Sequence, residues 1–307
     1  MNILYFSKNM KNYSASMYQY DLMQALGKYC NISFYGPGFK KFNPEDNIDD
    51  VFAKYQQQDC IIVGHSWLKD KPLIKKLPIL DLNFKKVTVP KIGIINKEYI
   101  NLEQKLIFFK NNDFNHIYTH YRNIKNLNNK LNNKYIHLPF AYNQDLFKPL
   151  NKKIDFSFTG TLKNQNKNNL QSNIRLDTMN KLFYNILDIP LKKKKLYKNI
   201  NIFWNTIPRY KFSSIILRIL KGKIILSKNK YSDVLSSSRI FLASISPANL
   251  ISPRYFECMG SKTLIFSEKI KDYESILPDD MYITINEDLS NFDNLLKYYL
   301  NNLDKID

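Results

Sequence analysis

The chain has 307 residues, of which 44% are hydrophobic and 14% aromatic, and its formal net charge is +19. So much Phe, Tyr, Ile and Leu excludes a disordered chain, and the length suffices for two domains of ordinary size. The three cysteines, Cys30, Cys60 and Cys258, stand far apart. This spacing argues against a disulfide framework or a zinc cluster and suits a reducing compartment.

The first half of the chain alternates short apolar runs with amphipathic segments. Continuous apolar runs such as CIIV are typical of strands that are buried on both faces of a parallel sheet. The predicted strands are Asn2–Phe6, Asn31–Tyr35, Cys60–Val63, Lys91–Ile95, His116–Thr119 and Tyr135–Leu138. The predicted helices are Ser16–Lys28, Val51–Gln57 and Glu98–Asn111. Strands that alternate with helices predict βαβ units.

A polar segment with a proline, Tyr142–Asp155, predicts a linker, and the alternation then starts again. The predicted strands are Phe156–Thr159, Ile200–Phe203, Arg239–Ser244, Thr263–Phe266 and Met281–Ile285. The predicted helices are Ser172–Leu187, Tyr231–Ser237, one that begins near Pro253, and Leu289–Leu303. We expect an α/β chain of two Rossmann-like doubly wound domains, 1–150 and 151–307, that face a central cleft. The last helix is expected to pack back on the first domain.

Charge and hydropathy bear on location and partners. The N-terminal apolar run is too short for a secretion signal, and no stretch approaches the roughly 20 apolar residues that span a bilayer. We therefore expect a cytoplasmic location. Heavy use of Lys, Asn and Ile is what an AT-rich genome produces, but residues 191–230 hold twelve Lys and Arg and no Asp or Glu. An anionic partner is one explanation, and a buried helix and strand with lysines at their exposed ends is the other.

A loop rich in Ser and Pro precedes the helix near Pro253. Ser252 followed by proline is typical of a helix N-terminus, whose unpaired N–H groups can bind phosphate. Arg254 in the first turn can contact a pyrophosphate through two hydrogen bonds, and Glu257, one turn later, can accept from a ribose diol. The alternative is an ordinary surface Arg/Glu pair at i, i+3.

Residues 254–265, RYFECMGSKTLI, resemble the donor-site helix of GT-B glycosyltransferases. The similarity is closest to the spore-maturation-protein-like members, distant relatives of the family 4 "glycosyl transferases group 1". Other segments agree in order: Lys152–Thr161 with the strand and glycine turn that open the donor domain, His137–Pro149 with the interdomain segment, and Tyr231–Ala243 with the unit before the donor loop. The resemblance extends over nearly the whole chain.

The resemblance implies a GT-B fold, with an acceptor-binding first domain and a donor-binding second domain. It implies transfer of a hexose from a UDP- or GDP-sugar, with no metal and no permanently bound cofactor, since the helix dipole and a basic side chain stabilise the leaving diphosphate. The acceptor would be a glycan or a lipid-linked molecule in the synthesis of cell-surface polysaccharide or glycoconjugate.

Carried over by residue, the resemblance gives Arg254 the diphosphate, Glu257 the ribose hydroxyls, and Gly160 a close backbone approach. The remaining donor-site candidates are Thr161, Arg175, Asn249 and Ser252. The chain departs from family 4 at two positions. Asn249 replaces a second Glu, which leaves retaining or inverting stereochemistry open. Lys262 replaces a Gly, and its cation would lie near the pocket or on the surface.

The acceptor side needs a general base if the reaction inverts configuration. His65 follows the apolar run CIIVG and His120 follows HIYT, so both are expected at the carboxyl ends of strands. His65 is the favoured catalytic candidate and His120 the second, and a histidine that only forms hydrogen bonds is the alternative. Glu98 and Glu103 are expected to be solvated helix residues.

Two other classes of protein are less favoured by the sequence. A basic nucleic-acid-binding protein would use residues 191–230, which lack a recognised binding module, so this partner is less favoured than a nucleotide-sugar and its acceptor. The same segment has an apolar stretch with cationic flanks, which predicts a peripheral contact with an anionic membrane surface. A dehydrogenase would need GxGxxG after the first strand, and residues 6–16 lack it.

Overall fold

The computed structural model describes residues 1–11, 17–55, 57–69, 78–95, 97–98, 100–122, 135–161, 199–207, 226–245, 250–286 and 288–306. The chain divides into two compact units, Met1–Pro139 and Phe140–Asp307. The predicted division after residue 150 lies further along the chain, so the bounds 1–150 and 151–307 stay predictions. The predicted helix Ser172–Leu187 lies outside the described residues.

The first unit is built on a six-stranded parallel sheet in the order β2-β1-β3-β4-β5-β6. The strands are β1 Asn2–Phe6, β2 Asn31–Tyr35, β3 Cys60–Val63, β4 Lys91–Ile95, β5 His116–Thr119 and β6 Tyr135–His137. The helices are α1 Met17–Leu26, α2 Ile48–Ala53 and α3 Leu102–Asn111. A short 3-10 helix, Phe84–Lys86, precedes β4.

Both faces of this sheet are covered, which explains why its strands read as continuous apolar runs. Leu4 and Phe6 of β1 pack in a core with Phe109 of α3. Ile3 of the same strand packs on the opposite face, in a core with Met23 of α1. Helices on both faces of a parallel sheet define a doubly wound unit.

The second unit is built on a five-stranded parallel sheet in the order β11-β10-β9-β7-β8. The strands are β7 Ile154–Thr161, β8 Ile202–Ile207, β9 Ser238–Leu242, β10 Leu264–Ser267 and β11 Ile283–Thr284. The helices are α4 Lys228–Ser236, α5 Pro253–Gly260 and α6 Phe292–Asn301. Short 3-10 helices lie at Asp279–Met281 and Leu303–Lys305.

Two helices of the second unit lie on opposite faces of its sheet. Phe292 of α6 packs in one core with Phe266 of β10. Ser267, the next residue of β10, points the other way and shares a hydrogen bond of 2.7 Å with the Tyr255 hydroxyl of α5. This unit is therefore also doubly wound. That the last helix, α6, packs on the first domain stays a prediction. Among the described residues no helix is both long and apolar enough to cross a membrane.

Some helix starts differ from those predicted because capping decides them. Asn47 forms a capping box with Asp50, in which each side chain accepts from the backbone N–H of the other, so α2 begins before the predicted Val51. At α3, Asn101 takes a left-handed conformation with φ of 52°. The helix therefore begins at Leu102, and Glu98 lies in the preceding turn instead of in the helix.

Candidate active site

Gly160 and Arg254 meet at the carboxyl end of β7. A Cβ atom added at Gly160 would lie 3.4 Å from Nη1 and 3.6 Å from Nη2 of Arg254. The guanidinium group therefore lies directly over the glycine backbone. Arg254 forms no ion pair with any carboxylate of the described residues. Its charge remains available at the edge of the sheet where ligands of doubly wound units bind.

Ser252 is the N-cap residue of α5, and Pro253 follows it in the first turn. Its hydroxyl makes no capping bond, and within the described residues its buried Oγ has no hydrogen-bond partner. The motif predicted the start of the helix correctly, but the serine does not act as the usual side-chain cap. A buried hydroxyl without a partner at a helix N-terminus suits a ligand that supplies the missing hydrogen bond.

Glu257 lies one turn further along α5 and is only 5% exposed. The hydroxyl of Tyr231, in the first turn of α4, donates a hydrogen bond of 2.6 Å to Glu257 Oε2. Burial and the neighbouring carboxylate raise the pKa of Tyr231 well above its usual value, so this phenol stays protonated and remains a donor. The alternative of a solvated surface Arg/Glu pair does not hold, because Glu257 is buried and bonded to a tyrosine.

The other end of α5 is fixed by hydrogen bonds. The Lys152 ammonium group donates to the carbonyl of Ser236 at 3.2 Å, the carbonyl of Ser261 at 2.9 Å and Thr263 Oγ1 at 3.0 Å. Thr263 Oγ1 in turn donates to the Leu235 carbonyl at 2.7 Å. Lys152 and Thr263 therefore hold the C-terminal ends of α4 and α5 in place. Both residues lie in segments that resemble the donor domain of GT-B glycosyltransferases.

Lys262 is exposed and lies just beyond the C-terminus of α5, with φ of 48°. Its backbone N–H donates to the Met259 carbonyl at 3.0 Å, and the backbone N–H of Thr263 donates to the Cys258 carbonyl at 2.9 Å. These two bonds form a Schellman motif, whose left-handed residue is usually glycine. Of the two positions weighed for the Lys262 cation, the structure places it on the surface.

Several predicted site residues lie wholly or partly outside the described residues. Arg175 and Asn249 lie outside the described residues, and Thr161 is described only as the last residue of β7. Of the basic segment 191–230 only 199–207 and 226–230 are described, and they contain β8 and the start of α4.

In the first unit His65 and His120 lie side by side at the carboxyl ends of β3 and β5. Their Nε2 atoms are 2.9 Å apart, and their rings are stacked with 12° between the planes. Both side chains are buried, at 3% and 6% exposure. The ring of Tyr18, from the first turn of α1, contacts both histidines edge-on. The structure therefore brings the two predicted histidines together in one cluster.

Hydrogen-bond roles fix the tautomers of the pair. Burial lowers the pKa of His120 to about 4, and burial together with His120 lowers the pKa of His65 well below 6.5. Both rings are therefore neutral near pH 7. His120 Nδ1 must donate to the Leu138 carbonyl at 2.7 Å, so its Nε2 accepts from His65 Nε2–H. The remaining lone pair is on His65 Nδ1, a buried atom that has no hydrogen-bond partner within the described ranges.

Glu98 was wrongly expected to be solvated. It is 5% exposed and accepts a short hydrogen bond from Thr119 Oγ1 at the end of β5. Burial raises the pKa of this carboxyl group. Glu103, by contrast, is exposed as expected. Glu268 is a further buried carboxylate that no sequence pattern predicted. It follows β10, and its side chain accepts a hydrogen bond from the Ile245 N–H at 3.1 Å.

Within the described ranges no group of three or more His, Cys, Asp or Glu side chains is placed to hold a metal ion.

Two solved structures are similar to this chain over nearly its whole length. An α-glucosyltransferase in complex with UDP-glucose and DNA containing an abasic site has a TM-score of 0.56 and 10% identity, covering 97% of this chain and 89% of its own. HepE of Anabaena, in complex with UDP and glucose, has a TM-score of 0.54 and 8% identity, covering 100% and 91%. Identities this low show the fold alone. The predicted chain of two Rossmann-like α/β units is confirmed.

Residues 203–307 match the model of a family described as glycosyl transferase-like. This region contains α4, α5 and α6, and therefore Tyr231, Arg254 and Glu257. No curated protein sequence is similar enough to match this chain.

Proposed function

We propose that the chain is a glycosyltransferase that takes a hexose from a UDP- or GDP-sugar. The observation that supports this proposal most directly is the contact of Gly160 with Arg254 at the N-terminus of α5, where Arg254 has no ion-pair partner in the part of the chain that the structure describes. Two further findings support it: the glycosyl transferase-like match over residues 203–307, and similar folds that were solved with UDP or UDP-glucose.

In this proposal the donor binds at the carboxyl edge of the second sheet. Gly160 lets the backbone approach the diphosphate closely, and Arg254 donates to its oxygens. The N-terminus of α5 and the Ser252 hydroxyl add further donors to the same charge. Glu257 accepts from the ribose hydroxyls. The negative charge that develops on the leaving diphosphate is then stabilised by these groups without a metal ion. Thr161, Arg175 and Asn249 are proposed to complete the donor site.

On the acceptor side we propose that His65 is the general base and that His120 is its positioning residue. Of these two histidines, His65 keeps a lone pair without a partner among the described residues, because both nitrogens of His120 are engaged. When His65 Nδ1 takes a proton from an acceptor hydroxyl, the resulting cation is stabilised by donating to His120 Nε2. We propose a glycan or lipid-linked acceptor in cell-surface polysaccharide or glycoconjugate synthesis. Cytoplasmic location and peripheral membrane contact through 191–230 stay predictions.

The test is nucleotide binding, followed by turnover. We expect UDP or GDP to raise the melting temperature of the wild type and Arg254→Gln to weaken that binding roughly tenfold, the loss of a charge-assisted hydrogen bond. Arg239→Gln is the control, because Arg239 pairs with Asp155 at 3.2 Å at the opposite, amino end of the sheet. No binding of either nucleotide, with unchanged sugar-nucleotide hydrolysis in Glu257→Ala, would contradict the proposal.

The second candidate is a nucleic-acid-binding protein. It is motivated by the net charge of +19 and by the DNA in the complex of the similar α-glucosyltransferase. Binding of DNA or RNA with a steep salt dependence, mapped to residues 191–230, would favour it. Absence of binding at moderate salt would remove it.

A further inference from the structure

Tyr231 is a polar partner of the Glu257 carboxylate that no motif of the sequence singled out. Its hydroxyl comes from a different helix and reaches Glu257 Oε2 at 2.6 Å. Its ring is held from behind by Phe147, whose ring meets it edge-on with centroids 5.9 Å apart. Phe147 is itself 2% exposed. The phenol is therefore fixed on the side of the carboxylate, and its position does not depend on solvent.

A buried carboxylate that is held by a short hydrogen bond has a restricted orientation. A charge taken out of water needs hydrogen bonds, and a carboxylate can accept about four of them. The bond from Tyr231 to Oε2 helps to set the plane of the group. Two vicinal hydroxyls can then donate to a carboxylate whose oxygens already point in a fixed direction, so little rotamer freedom is lost on binding.

We propose that Tyr231 is a positioning residue that makes the site selective for ribonucleoside over 2′-deoxyribonucleoside diphosphates. It holds the Glu257 carboxylate in the orientation that accepts from both the 2′- and the 3′-hydroxyl. This inference rests on the proposed function, since it takes Glu257 as the group that binds the ribose. A ligand without the 2′-hydroxyl forms one hydrogen bond fewer to a charged, buried acceptor. Such a bond accounts for roughly a tenfold difference in affinity or more.

The experiment is isothermal titration calorimetry of the whole chain with UDP and dUDP, and with GDP and dGDP. One of the two pairs, UDP with dUDP or GDP with dGDP, is expected to bind. Within that pair the wild type should bind the ribonucleotide about tenfold more tightly than the deoxyribonucleotide. Tyr231→Phe should lower the ribonucleotide affinity and bring the preference within about threefold, because a loosely held carboxylate gains less from the second hydroxyl. Tyr282→Phe is the matched control: it removes another tyrosine–carboxylate bond of this unit, to Asp279 at 2.9 Å, and should keep the wild-type preference.

A double-mutant cycle separates positioning from a general loss of structure. Glu257→Gln should reduce the ribose preference on its own, and the double variant with Tyr231→Phe should lose no more than Glu257→Gln alone. Equal weakening of UDP and dUDP by Tyr231→Phe, or additive losses in the double variant, would overturn the inference and leave the proposed function standing. A wild type that binds neither nucleotide pair would overturn both.

Discussion

Acidification is expected to destabilise the first unit through the buried histidine pair. An ordinary histidine has a pKa of 6.5, while burial lowers the pKa of folded His120 to about 4. As the pH falls below 6.5, His120 binds a proton in the unfolded chain but not in the folded chain. The stabilisation by neutral His120 is therefore complete above pH 6.5 and is lost progressively down to pH 4. His65 has the same sign, because its pKa is also lowered.

The magnitude follows from the two pKa values. The interval between 6.5 and about 4 corresponds to about 3.4 kcal/mol, at 1.36 kcal/mol for each pKa unit. About 2 kcal/mol of this is expected to be lost between pH 7 and pH 5. Because His120 is only 6% exposed, solvent screening takes little from this figure. The quantity to compare is the change in unfolding free energy between the two pH values.

The assay is urea unfolding at pH 7 and pH 5, followed by tryptophan fluorescence. The chain has two tryptophans, Trp67 in the first unit and Trp204 in the second, so a Trp204→Phe background makes the signal specific for the first unit. In this background His120→Gln should show a smaller loss between pH 7 and pH 5, by about 2 kcal/mol. The control, His116→Gln, changes an exposed side chain of the same strand. An identical pH dependence in His120→Gln and the control would refute the reasoning.

Three further substitutions test the geometry. Lys262→Gly should stabilise the chain by about 0.5–1 kcal/mol in urea unfolding, since relief of left-handed strain exceeds the entropy cost of glycine; destabilisation would contradict the Schellman geometry. Gly160→Ala should weaken UDP binding roughly tenfold in calorimetry, because the added methyl group would occupy the space beside Arg254 through which a diphosphate is proposed to approach the backbone; unchanged affinity would remove the backbone approach from the donor site. Gly93→Ala should cost roughly 1–3 kcal/mol in thermal unfolding, because the new Cβ would lie 2.3 Å from a ring carbon of buried Phe109; an unchanged melting temperature would count against this packing.

The strands of the first unit were predictable because burial on both faces leaves an apolar run. Cys60–Val63 and Lys91–Ile95 have the predicted bounds for this reason. In the second unit β8 begins and ends later than the predicted Ile200–Phe203, and β11 is shorter than the predicted Met281–Ile285. Helix starts were less predictable, because they depend on capping bonds and on single backbone conformations. The capping box of Asn47 and the left-handed Asn101 decide where α2 and α3 begin, and apolar spacing carries no sign of either.

The candidate site was predictable by position but not by contact. Parallel strands end at one edge of a sheet, so residues that follow strands were expected there. The contact between His65 and His120 depends on the order β3-β4-β5, in which one strand separates the two that carry them. The alternation of apolar and polar residues does not predict the order of the strands in the sheet. Likewise Tyr231 and Glu257 are 26 positions apart, and only the packing of α4 against α5 brings them together.

The separation of charges on α5 depends on this packing. Arg254 and Glu257 stand at i, i+3, a spacing at which opposite charges on an exposed helix attract each other. An ion pair between them would neutralise the cation proposed to receive a diphosphate. Instead the carboxylate is turned into the protein and takes its hydrogen bond from Tyr231, while Arg254 lies over Gly160. A neutral donor thus contributes a hydrogen bond to the buried carboxylate, and the arginine keeps its full charge at the helix N-terminus, where the helix dipole also favours an anion.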